Sequence, residues 1–88
     1  MSRGEDEASV TVSECVKTLL SNQGTSQREL AEMIGYSGQG SVTTALKRNN
    51  GMGMQIDTLI RWLEVLDAQL VVQSDNGDEF VLDGESEL

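Results

Sequence analysis

A run of hydrogen-bonding side chains, Gln39, Ser41, Thr43 and Thr44, is followed almost at once by the adjacent cations Lys47 and Arg48. A glutamine amide offers a donor and an acceptor side by side, so it can pair bidentately with adenine, and hydroxyls serve as donor or acceptor. The two cations are suited to anchoring phosphates. None of these groups is equipped for bond-breaking chemistry. The chain contains no histidine, so no Ser-His or Cys-His nucleophile can be assembled. Cys15, the single cysteine, falls on the apolar side of a predicted helix, where a buried and unreactive thiol is expected.

Other chemistries are disfavoured by spacing. Gly35, Gly38 and Gly40 resemble a phosphate-cradling loop only superficially, because no strand precedes them and no Gly-Lys-Ser/Thr follows. The acids from Asp75 to Glu85 lack the spacing of a calcium-binding helical hand and read as a solvated acidic tail. One cysteine excludes an internal disulfide and any cysteine-rich zinc or haem site within one chain. No enzymatic activity, cofactor or metal is therefore expected. No apolar run stands behind Arg3, and eighteen apolar residues never follow one another, so neither secretion nor membrane insertion is indicated. A reducing, cytoplasmic setting is expected.

The net charge of −9 argues against an anionic partner until its distribution is considered. Residues 1–9 carry −2 and residues 74–88 carry −6, which leaves only −1 on residues 10–73. No acid lies between Glu32 and Asp57, and Lys47 and Arg48 sit inside that interval.

Eighty-eight residues allow one domain, and with one Trp, one Tyr and one Phe its core must be built from Leu, Val, Ile, Met and Ala, which favours packed helices. Thr11 and Glu14 form a capping box ahead of Val12, Cys15, Val16, Leu19 and Leu20, predicting a helix from Val12 to Ser21, with Asn22-Gln23-Gly24 as the break. Ser26 and Glu29 form a second box before Leu30, Ala31 and Ile34, a helix that stops at Gly35. Tyr36 to Gly40 reads as a turn. Val42, Ala45 and Leu46 resume helical spacing until Asn49-Asn50-Gly51. Ile56, Leu59, Ile60, Leu63 and Leu66 predict a fourth helix over roughly Ile56 to Leu66. Trp62 beside that stripe is expected to be partly buried, with an interface role as the alternative. Gln69–Gln73 and Glu79–Asp83 then predict a β-hairpin turning on Asn76-Gly77 in a type I′ turn. Apolar residues on both of its faces require it to pack on the helices or on another subunit.

Two short helices joined by a tight glycine-containing turn have the geometry by which one helix crosses a DNA backbone while the next enters the major groove. Here Ser26-Gln27-Arg28-Glu29-Leu30-Ala31-Glu32-Met33-Ile34-Gly35-Tyr36-Ser37 resembles the opening of lambda-repressor-like, xenobiotic-response-element family domains, Ser-Gln-x-x-Leu-Ala-x-x-x-Gly-(apolar)-Ser. The resemblance makes Ala31 the small residue where two helices touch, Gly35 the turn residue, and Leu30 and Ile34 the inner face. Met54 to Val72 is similar to the fourth helix and terminal strand of dimeric, antitoxin-like members. Val42 follows Gly35 by seven positions where most members have six, a longer turn that Gly38 and Gly40 can absorb.

The expected fold is mainly α, a lambda-repressor-like four-helix domain with a helix-turn-helix and a C-terminal β-hairpin. Residues 1–9 are expected to be a disordered acidic leader, 10–68 the helix-turn-helix domain, 69–83 the hairpin and candidate dimerisation element, and 84–88 an acidic tail. The expected partner is duplex DNA, bound by a homodimer acting as a transcriptional repressor or antitoxin-like autoregulator. Gln27 and the helix N-terminus around it would hold phosphate, Ser37, Gln39, Ser41, Thr43 and Thr44 would meet the duplex, and Lys47 and Arg48 would anchor its backbone. Blander roles compete: helix capping for Ser26 and Ser37, a solvated face for Gln39 to Thr44, and dipole-favoured cations at a helix end for Lys47 and Arg48. The alternative function is a protein-interaction module of the same fold that binds a basic partner such as a toxin.

Overall fold

A computed structural model describes residues 9–83; the remainder of the acidic leader and the tail 84–88 lie outside the described residues. The described chain is mainly helical: α1 Val12–Gln23, α2 Gln27–Ile34, α3 Gln39–Lys47 and α4 Ile56–Val65 precede an antiparallel hairpin of β1 Leu70–Gln73 and β2 Glu79–Leu82. A 3-10 turn, Arg48–Gly51, follows α3. Among the described residues no helix is long and apolar enough to cross a membrane.

Both capping boxes form. The Glu14 N–H donates to Thr11 Oγ1 at 3.2 Å while the Thr11 N–H donates to Glu14 Oε1 at 3.1 Å, and Ser26 and Glu29 repeat the exchange at 3.0 and 2.8 Å. Each box satisfies donors that a helix start leaves orphaned, so α1 and α2 begin where their local sequence dictates. The end of α1 differs from the expected one. Asn22 and Gln23 belong to the helix rather than to its break, because Gly24 alone makes the cap, its N–H reaching the carbonyls of Leu20 and Ser21. Gln23 is also held from outside, its Nε2 donating to the Leu66 carbonyl at 2.6 Å and so tying the end of α1 to the end of α4.

The core draws on every helix: Val16 and Leu20 from α1, Leu30 and Ala31 from α2, Val42 and Leu46 from α3, and Trp62 with Leu66 from α4. Each fully buried Leu or Val contributes on the order of 1.5–3 kcal/mol relative to exposure. α2 lies against both α3 and α4, and α1 against α3 and the 3-10 turn. Trp62 is wholly buried, which removes it from any interface. Its Nε1–H donates to the Tyr36 hydroxyl at 3.1 Å and the two rings meet edge to face, centroids 6.3 Å apart. Cys15, expected to be buried, is only half so.

After α3 the backbone turns through Asn49, Asn50 and Gly51, all at positive φ of 51°, 57° and 80°. Asparagine tolerates that region and glycine enters it without strain. Gly51 is required twice over, since a Cβ there would lie 3.0 Å from the Ser13 backbone nitrogen and 3.1 Å from Val12 Cβ.

The hairpin pairs Leu70 with Leu82, Val71 with Val81, Val72 with Phe80 and Gln73 with Glu79. Its strands are shorter than expected by Gln69 and Asp83. The turn is not type I′, which needs positive φ at both Asn76 and Gly77; only Gly77 has it, at 97°. The Gly77 N–H instead bonds the Ser74 carbonyl at 3.1 Å and the Ser74 N–H bonds the Asp78 carbonyl at 2.9 Å. This is a three-residue turn closed by a left-handed glycine, reinforced by the Asp78 N–H donating to Ser74 Oγ at 3.1 Å. Only Leu70 and Leu82, at its base, are half-buried; Val71, Val72, Phe80 and Val81 are exposed.

Candidate nucleic-acid interface

The link between α2 and α3 is pinned by its own residues. Gly35, at φ 104°, ends α2, and the N–H groups of Gly35 and Tyr36 both bond the Ala31 carbonyl, at 3.0 and 2.9 Å. The Tyr36 side chain then turns inward to accept from Trp62. Gly38, extended, is the residue before α3 and supplies no side-chain cap. Ser37 is exposed and does not cap α3, which overturns the capping alternative for it while Ser26 fulfils that role. The expected turn over Tyr36 to Gly40 is likewise too long: Gln39 and Gly40 lie in the first turn of α3. Beginning the helix there places Val42 and Leu46 one turn apart, and both are buried against α2 and α1.

With Val42 and Leu46 inward, helical periodicity turns Gly40, Thr44 and Lys47 directly outward, with Ser41 on one flank and Thr43 on the other. Ser41, Thr44 and Lys47 are exposed, as is Gln39 at the helix start, and the first-turn N–H groups have no side-chain cap. Lys47 closes α3 and Arg48 opens the 3-10 turn beyond it, both exposed, where cations complement the helix dipole. No carboxylate occurs from residue 33 to residue 56. The nearest acid before it, Glu32, faces Arg28 at 3.8 Å across one turn of α2.

Thr43 departs from its expected role. It is half-buried, and its hydroxyl donates to Gln27 Oε1 at 2.8 Å, so it supports a neighbour instead of presenting its own proton outward. Gln27, the first residue of α2, thereby has its Oε1 occupied and Nε2 left as the amide's donor end, the polarity a phosphate or base acceptor requires. The surface thus joins Gln27 and Thr43 across the two helices, and gathers Gln39, Ser41, Thr44 and Lys47 along α3.

Gly40, expected within the turn, lies instead on the outward side of α3, where an added Cβ would meet nothing within 4 Å. A glycine in a helix, unneeded for space or for φ within the chain itself, leaves bare backbone on the exposed face. Among the described residues no group of three metal-ligating side chains comes together. No family model, curated protein or solved structure matches the chain.

Proposed function

We propose that the chain is a sequence-specific duplex DNA-binding protein of the lambda-repressor-like helix-turn-helix type, a homodimeric repressor or antitoxin-like autoregulator. One observation carries the reading: α3 presents an exposed outer side, free of carboxylates from residue 33 to residue 56 and ending in Lys47 and Arg48, on a short link fixed to α2. A helix so presented fits the major groove, its polar side chains at base edges and its cations at phosphates. The Ser-Gln-x-x-Leu-Ala opening from Ser26 supports the same assignment. Dimerisation through the hairpin is supported by the exposure of Val71, Val72, Phe80 and Val81, apolar surface that a two-stranded ribbon cannot bury alone.

Selection of binding sequences from random duplexes at low salt, followed by gel-shift titration, tests the proposal. A defined half-site should be enriched, and Lys47→Ala with Arg48→Ala should weaken binding across all sequences while reducing the salt slope by roughly 2. Failure of the parent protein to enrich any sequence would sink the proposal. Unchanged binding by the double variant would remove residues 47 and 48 from the contact surface.

A further inference from the structure

A cavity of about 490 Å³ opens between the C-terminal half of α4 and the hairpin. Ile60, Leu70, Val81 and Leu82 supply the apolar part of a largely polar lining, the carboxylates of Glu64, Asp67 and Asp83 stand at its walls, and no lysine or arginine lines it. The corner carrying Asp67 is fixed by its own N–H bonding the Glu64 carbonyl at 3.1 Å and by the Ala68 N–H bonding the Leu63 carbonyl at 2.8 Å. Glu64 and Asp67 are exposed and, among the described residues, make no ion pair.

We infer that this groove docks a basic segment of a partner protein, one that carries an apolar anchor between its cations. Acid-walled clefts focus the field on an approaching cation, and the half-buried Leu70 and Leu82 at the base of the hairpin give an anchor a surface to cover. The same charge makes other occupants poor. An isologous contact with a second copy would bring Glu64, Asp67 and Asp83 towards copies of themselves, and a nucleic acid would meet carboxylates with phosphates. The inference stands independently of whether α3 meets DNA.

The test is an NMR titration of the isotopically labelled full chain with the peptide acetyl-Arg-Val-Lys-Leu-Arg-Val-amide. A control peptide has serine at each apolar position and the same charge. Amide shifts should concentrate at Glu64, Asp67, Ala68, Val81 and Leu82, and the anchored peptide should bind about tenfold more tightly than the control. Glu64→Gln with Asp67→Asn should weaken it about fivefold with an unchanged melting temperature, asparagine being tolerated at the positive φ of 58° that Asp67 adopts. Equal binding of both peptides with shifts spread over every acidic surface, or unchanged affinity in the double variant, overturns the inference. A dimer whose groove amides stay silent to the peptide gives the groove to a second copy and overturns it as well.

Discussion

The hydroxyl of Thr43 on α3 donates a 2.8 Å hydrogen bond to Oε1 of Gln27 at the start of α2, across sixteen positions of sequence. This bond occupies Oε1 of Gln27 and leaves Nε2 as the amide's donor end, and it couples the two helices on the side proposed to meet DNA. Thr43→Val keeps the shape and removes the donor. The pair is only partly buried, so stability should fall by about 0.5–1.5 kcal/mol, read by chemical denaturation. DNA affinity should fall further, about fivefold beyond what unfolding explains, and Thr43→Ser should restore it. Affinity unmoved in the valine variant would show that the orientation of Gln27 is irrelevant to recognition.

Gly40→Ala separates a structural from a functional reason for glycine. The new methyl has open space, and alanine is favoured over glycine in a helix by up to about 1 kcal/mol. The free protein should therefore melt a few degrees higher. If the bare backbone of α3 seats against a duplex, the same methyl should reduce DNA affinity severalfold. Higher stability with unchanged DNA binding would take the first turn of α3 out of the contact surface.

Phe80→Ser probes the hairpin. Phe80 is 58% exposed, so its loss should hardly alter the melting of a monomer. Sedimentation should instead show a weakened dimer, because large apolar groups dominate the buried centres of interfaces. A parent chain that sediments as a monomer at every concentration contradicts dimerisation through this element.

The parts of the fold legible in the sequence are those decided within a few residues. Ser26 and Glu29 complete their exchange inside one turn, so the pattern alone locates the start of α2. α3 has no such signal: Gly38 cannot cap it and Gly40 reads as a turn, and the helix is held by burial of Val42 and Leu46 against other elements. The hairpin turn misled for a related reason. Asn76-Gly77 favours a two-residue loop, but bonding between Ser74 and Asp78 selects a three-residue one. In the candidate site, Gln27 and Lys47 were identifiable by type and position, whereas the role of Thr43 depends on a partner that only the packing of α2 on α3 supplies.

Trp62 and Tyr36 give another long-range dependence with a measurable cost. The indole N–H is enclosed and has the Tyr36 hydroxyl as its acceptor at 3.1 Å. Tyr36→Phe retains the edge-to-face contact and orphans the buried donor, which should cost about 1–3 kcal/mol. As the only tryptophan, Trp62 reports the transition directly through its fluorescence. A loss below a few tenths of a kcal/mol would mean that water reaches the indole in place of the hydroxyl.

Gly51 sets the largest single-site penalty expected here, because two independent constraints act on one atom. At φ 80° an alanine pays about 1–2 kcal/mol for the left-handed conformation, and Asn49 and Asn50, which lead into the bend, cannot relieve it without giving up their own positive φ. The added methyl would also sit 3.0 Å from the Ser13 nitrogen and 3.1 Å from Val12 Cβ, within the first turn of α1. Those atoms are backbone or β-branched, so relief requires α1 to move away from the 3-10 turn, disturbing the nearby Val16 packing. Gly51→Ala should therefore destabilise the domain by about 3 kcal/mol, whereas Gly53→Ala, where an added Cβ meets nothing within 4 Å, should change stability by less than about 0.5 kcal/mol. Parallel denaturation curves for the two variants decide it: equal losses would show that the approach of the 3-10 turn to α1 is looser than these distances imply.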